Sequence, residues 1–107
     1  MTVGGPYPVL MASVRSVGPP GGESARAPAP WEANTQATCD CLSRHGTLDP
    51  VERRRAEDEL GATVYADFPV RARPLVVTAH ALLELGAISE PELEAKMNAV
   101  RARFRKA

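Results

Sequence analysis

Two cysteines among 107 residues, Cys39 and Cys41, are too few and too close together for a disulfide framework, and a reduced, cytoplasmic setting is expected. Neither charge is in excess: Lys plus Arg and Asp plus Glu number 13 each. The cationic surplus of a nucleic-acid-binding face is therefore missing. No run of about 20 apolar residues could span a bilayer. The N-terminus also lacks the cationic segment and apolar stretch of a secretory signal. No internal repeat is visible. At 11.5 kDa the chain can hold one small domain at most, and a soluble, cytoplasmic one is expected.

Composition changes near residue 30. Before it stand Pro6, Pro8, Pro19, Pro20, Pro28 and Pro30 with Gly4, Gly5, Gly18, Gly21 and Gly22. Missing amide donors and the entropy cost of ordering glycine argue against a helix or an inner strand there. The apolar residues Val9, Leu10, Met11, Val14 and Val17 are too many for a plain linker. Residues 1–30 are expected to be an extended arm that packs on a partner subunit, and residues 31–107 a helical domain.

Four helices are expected, giving an all-α fold. The first runs from Trp31 to His45, stops at Gly46, and turns Trp31, Thr35, Thr38 and Leu42 inward at i, i+4, i+7, i+11. The second opens with Asp49 as cap, Pro50 at the first position and Glu52 at the capping-box position, and ends at Gly61. Its apolar members are only Val51, Ala56 and Leu60, so its own burial cannot hold it. Thr63 to Pro69 reads as an irregular connector, because Pro69 disfavours a helical Phe68. The third helix opens near Pro74, is apolar nearly all round and ends at Gly86, which makes it the core helix. Ser89 and Glu92 form a capping box for the fourth, whose stripe is Leu93, Met97, Val100 and Phe104. Arg101, Arg103, Arg105 and Lys106 gather at its end, where the helix dipole favours cations. The last two helices should form an antiparallel hairpin. About 75 helical residues rarely give one core more than ~3–5 kcal/mol, so a partner surface is expected to complete the molecule.

Candidate chemistry is sparse. Cys39 and Cys41 point to nearly opposite sides of a helix, and Cys41 with His45 supplies only two of the roughly four ligands of a closed zinc site. Small buried groups in a helix interface are the simpler reading of both thiols. His80, in the apolar helix, fits a hydrogen-bonded core histidine better than a general base, and no nucleophile motif stands near it. The segment around Gly18 to Gly22 lacks a P-loop lysine pattern. Arg53, Arg54 and Arg55 are the exception. Three consecutive residues radiate across most of a helix, so at least one guanidinium must face the protein or a partner. Turned inward it needs an anion, and the planar fork suits an oxyanion best.

Trp31-Glu32, Asn34-Thr35, Ala37-Thr38-Cys39 and Cys41-Leu42 form one pattern. Glu52-Arg53-Arg54-Arg55, Thr63-Val64-Tyr65, Pro69 and the stretch from Leu82 to Leu93 continue it. Over residues 31 to 104 it resembles the β subunit of thiocyanate hydrolase and, more distantly, the N-terminal half of nitrile hydratase β subunits. The resemblance implies a subunit that is not catalytic alone, in a lyase-type enzyme that hydrates a C≡N group. No cofactor is implied in this chain. The metal, cobalt(III) or iron(III), would lie in the α-type partner subunit, where two cysteine ligands are oxidised to sulfenate and sulfinate. It implies further that Arg54, with Arg53 beside it, donates hydrogen bonds to those sulfur oxygens.

The departures from the family carry expectations of their own. The chain stops before the β-barrel of nitrile hydratase β subunits, which implies a separate barrel-containing subunit. After Pro69 the relatives carry Tyr-Tyr and then a Trp, where this chain has Val70, Arg71 and Pro74. The resemblance thus implies a wider, more polar substrate pocket at Tyr65, Val70 and Arg71, suited to a bulky nitrile such as the nucleoside of the toyocamycin-type, three-subunit nitrile hydratase. Thiocyanate hydrolase itself, a cobalt-loading activator protein and a plain helical interaction module are the alternatives. No nucleic acid or membrane partner is expected.

Overall fold

In the computed structural model, residues 7–13 and 30–105 are described, and they form a small all-α domain with no strand among them. The helices are α1 (Pro8–Met11), α2 (Pro30–Arg44), α3 (Pro50–Ala62), α4 (Arg73–Glu84) and α5 (Glu90–Arg105), with a 3₁₀ turn at Val70–Ala72 before α4.

Local chemistry sets most of the boundaries. The Asp49 side chain accepts from the Val51 amide at 2.8 Å, and Pro50 begins α3 where a missing N–H costs nothing. At the head of α5, Ser89 and Glu92 exchange both bonds of a capping box, at 3.0 and 3.3 Å. Gly46 and Gly86 adopt φ of 73° and 74° after α2 and α4. At each, the amides of the glycine and of the residue after it close back on last-turn carbonyls: Gly46 to Ser43 and Thr47 to Leu42, Gly86 to Leu83 and Ala87 to Leu82.

The core sits on α4, which buries Val76, Val77, Thr78, His80, Ala81 and Leu83. Ala56 and Leu60 of α3 pack against it, with Tyr65 and Phe68 of the connector filling the centre. Several expectations are corrected. The inward residue of α2 is Cys39, not Thr38: the thiol is buried, whereas Thr38 is exposed and returns its hydroxyl to the Asn34 carbonyl at 2.8 Å. Gly61 does not end α3, which continues to Ala62. Gly61 is buried against the Arg73 side chain, whose Cδ would lie 3.3 Å from a Cβ added there.

The arm is corrected as well. Pro8–Met11 is a helical turn with proline at its start, and it buries Val9 and Leu10 in the core of this chain. Proline is excluded from helix interiors, not from first positions. The rest of the expected arm, residues 1–6 and 14–29, lies outside the described residues. Because α1 packs on both α4 and α5, the last two helices have few direct contacts, and the expected hairpin is wedged apart. Leu93 and Met97 reach the core, but Phe104, expected on the same buried face, is 77% exposed.

Candidate functional site

The three consecutive arginines of α3 separate by burial. Arg53 lies inward, with its side chain 18% exposed, and its Nη1 donates to Glu57 one turn on at 2.8 Å. Its Nε is buried without a hydrogen-bond partner among the described residues. The anion required of an inward guanidinium is thus Glu57. Arg54 faces out at 75% exposure, loosely paired with Asp58 at 3.5 Å. Arg55 is equally exposed, 3.6 Å from Glu52. Glu52 is spent there, not on a capping-box bond. Exposed pairs of this kind hold a side chain weakly, so Arg54 and Arg55 can exchange their carboxylates for a stronger anion.

The expected pocket residues are not gathered into one cleft. Tyr65 is fully buried, with its hydroxyl 2.7 Å from Nδ1 of His80. Val70 is 60% exposed on the 3₁₀ turn. Arg71 lies 3.6 Å from Glu32, an ion pair that ties the turn to the first turn of α2.

Tyr65 belongs instead to a polar cluster inside the core. Tyr7 donates its hydroxyl to Oε1 of Glu84 at 2.8 Å, and its amide approaches the Tyr65 hydroxyl at 3.5 Å. The rings of Tyr7 and Tyr65 meet His80 edge-on, at 5.0 and 5.5 Å. His80 is fully buried. With Tyr65 donating to Nδ1, the ring hydrogen sits on Nε2, which faces Glu84 at 3.6 Å. Burial lowers the His80 pKa, partly opposed by Glu84. Burial raises that of Tyr65. The expectation of a hydrogen-bonded core histidine agrees with this geometry. Sequence reasoning did not find Tyr7 or Glu84, since Tyr7 stands between two prolines and 77 residues from its partner.

Arg73 is a second residue the sequence did not single out. Its Nε donates to the Phe68 carbonyl at 3.1 Å and its Nη2 to the Ala66 carbonyl at 3.0 Å, which pins the connector before α4.

The cysteines divide as well. The Thr78 hydroxyl donates to the Pro74 carbonyl at 2.7 Å, so the buried Cys39 thiol, 3.3 Å away, acts as donor to Thr78. Cys41 is exposed, against the expectation that both thiols lie in a helix interface, because residues i and i+2 cannot share a helix face. Among the described residues, no three His, Cys, Asp or Glu side chains come together to hold a metal ion. No helix among them is long and apolar enough to cross a membrane.

No protein-family model matches the chain, and no solved structure matches it. Among curated proteins, the β subunit of thiocyanate hydrolase from Thiobacillus thioparus is 38% identical over 74 residues. The match takes in 68% of this chain and 47% of that subunit, so the chain spans about half the length of the curated relative. The aligned share of the chain and the level of identity support the resemblance carried by the Trp-Glu, Thr-Cys-x-Cys and Glu-Arg-Arg-Arg motifs. The chain belongs to the nitrile hydratase/thiocyanate hydrolase family as a β-type chain.

Proposed function

We propose that this chain is the non-metal subunit of a hetero-oligomeric enzyme that hydrates a C≡N group, and that Arg54 reaches across the subunit boundary to oxidised cysteine ligands of the partner. The observation that carries the reading is the division of labour on α3: Arg53 is committed to Glu57 inside the domain, while Arg54 stands in the open with only a loose pair to Asp58. A sulfenate or sulfinate oxygen is a better acceptor for its planar fork than a solvated carboxylate. Arg53 then serves chiefly to fix the helix, with its remaining donors as a second contribution.

The metal would be held by the partner, since this chain's described residues gather no ligand set. When bound there, cobalt(III) or iron(III) supplies Lewis-acid polarisation of the C≡N group or of the attacking water. What this chain contributes is orientation of the oxidised ligands, and losses of about 10–100-fold are usual when such a supporting partner is removed. Arg54→Lys is therefore expected to lower turnover by about 10–100-fold in a complex that still assembles. Full turnover in an assembled Arg54→Lys enzyme would rule the role out.

Val70 and Arg71, in place of large aromatics, favour a bulky nitrile of the toyocamycin type. There one water adds across the triple bond to give the amide, with no other product. The thiocyanate hydrolase subunit among the relatives favours a second reading, in which thiocyanate and two waters give carbonyl sulfide, ammonia and hydroxide. Incubating the assembled enzyme with each substrate, and measuring amide against carbonyl sulfide, separates the two.

A further inference from the structure

The segment from Tyr7 to Ser13 is held to the body at few points, and the polar one is a single carboxylate oxygen. Helix α1 has four residues, too few to sustain itself. It stays in place by burying Val9 and Leu10 and by the 2.8 Å bond from the Tyr7 hydroxyl to Oε1 of Glu84. The sixteen residues from Val14 to Ala29 are chain enough to let it leave without displacing α2. The same Oε1 faces a second donor. Nε2 of His80 lies 3.6 Å from it, buried and without a hydrogen-bond partner among the described residues. Tyr7 thus holds the oxygen at bonding distance while a buried N–H is left short of it. A neutral imidazole makes only a weak claim on that oxygen. An imidazolium makes a strong one, because a charge-assisted bond is roughly twice as strong as a neutral one.

The other side of the ring gives the same answer. The Tyr65 hydroxyl donates to Nδ1 of His80 at 2.7 Å and is approached by the Tyr7 amide at 3.5 Å. Protonation places a hydrogen on Nδ1 as well, so Tyr65 must turn its own hydrogen away. Among the described residues, the other polar group at that oxygen is the Tyr7 amide, which is itself a donor. Three hydrogens then crowd one oxygen. Withdrawal of Tyr7 relieves both sides at once: Oε1 is freed for Nε2, and water can accept from Tyr65. The Tyr7 ring, edge-on to the imidazole at 5.0 Å, leaves with it.

We infer that His80 and Glu84 form a proton-operated latch for the N-terminal segment: beside a neutral imidazole Tyr7 is held on Glu84 and α1 is docked, whereas an imidazolium takes the carboxylate and releases both. The titratable groups around the imidazole are Tyr7 of the segment, Tyr65 of the connector and Glu84 of α4, while Glu90 at the head of α5 acts on the two tyrosines. Among the described residues, no charged side chain of α2, α3 or the 3₁₀ turn pairs with His80. Glu84 favours its charged form, and burial under the docked segment opposes it more strongly. With the segment released, the ring titrates near its ordinary value of about 6.5. The ratio of released to docked segment therefore rises by up to about tenfold per pH unit below about 6.5, until the docked form too is protonated.

The test is methyl and ring NMR on the full chain between about pH 8 and about pH 5, the range in which histidine titrates. The Val9 and Leu10 methyl signals and the cross-peaks between the Tyr7 and His80 rings should fade in step with the His80 titration. Leu60 and Val77, fully buried elsewhere in the core, should keep theirs. His80→Gln, which retains a donor and an acceptor but has no proton to gain, should keep the segment docked throughout. Tyr7→Phe loses the bond to Glu84, and by linkage its His80 midpoint should move up toward about 6.5. Val9 and Leu10 signals that persist through the His80 titration overturn the latch. So does a segment that releases at the same pH in His80→Gln. Should that variant fail to fold, an unshifted His80 midpoint in Tyr7→Phe is equally decisive against it. Loss of the Leu60 and Val77 signals in the same step means that the whole domain melts, and overturns the segment as a separate device.

Discussion

A hydrogen bond from Tyr7 to Glu84, reinforced by burial, pushes the tyrosine pKa up to about 12. The folded state therefore keeps a phenolic proton that the unfolded chain releases near pH 10. The stability this contributes is complete below about pH 10 and is lost as the pH rises toward about 12. Tyr65, also raised, acts in the same direction. Thermal melts across this range should show the wild-type chain losing stability more steeply than Tyr7→Phe. At neutral pH Tyr7→Phe should itself cost about 1.5 kcal/mol, the lower range for a bond to a charged acceptor, because the ring is partly solvated. His80 behaves in the opposite sense. Its folded pKa is depressed by burial, so the unfolded imidazole takes up a proton first, near pH 6.5, and stability falls as the pH drops below that value toward the folded pKa. An NMR titration of the His80 ring should place its midpoint below 6.5, and a midpoint above it would contradict the buried, Nε2-protonated ring.

Elements depend on contacts that local pattern does not reveal. The connector from Thr63 to Pro69 has no regular structure, yet it places Tyr65 and Phe68 at the centre of the core. Arg73 makes this possible by satisfying two connector carbonyls that would otherwise lose their water without a partner. Arg73→Met keeps the aliphatic packing against Gly61 and removes both bonds, and chemical denaturation should register a loss of about 2 kcal/mol. Ser89→Ala should cost about 1 kcal/mol through the α5 cap, with the far-UV circular dichroism signal of that helix falling before the global transition. The Asp49 cap, the Ser89–Glu92 capping box and the stops at Gly46 and Gly86 were legible because each is written within a few neighbouring residues. The Arg73 clamp was not, since an arginine beside a proline carries no sign of which carbonyls it will meet.

The whole molecule is held by one central helix with unequal support on its sides. α3 buries Ala56, Leu60 and Gly61, while α5 fully buries none of its residues from 90 to 104. A helix supported this thinly opens at low free energy. Amide hydrogen exchange should therefore be fastest in the last turns of α5 and slowest in α4. Of the candidate site, the sequence made the arginine run visible but not its sorting. Which of three adjacent guanidinium groups turns inward depends on where α4 lies and on the position of Glu57 along α3.

The sequence by itself determined that this is an all-α chain, about where its four longer helices begin, that glycines stop α2 and α4, that α4 is the core helix, and that its motifs are those of β-type chains of the nitrile hydratase/thiocyanate hydrolase family. Those properties are set by residues close together in the chain, through caps, left-handed glycines and helical periodicity. Only the tertiary structure decided that Pro8–Met11 folds onto the core, that Tyr65 is sealed against His80, and that Arg54 faces outward while Arg53 does not. Each of these turns on a partner far away in sequence, Glu84 for Tyr7 and His80 for Tyr65, or on which face of α3 meets α4. Burial and charge pairing between distant residues are consequences of packing, and packing is fixed only when the whole chain is in place.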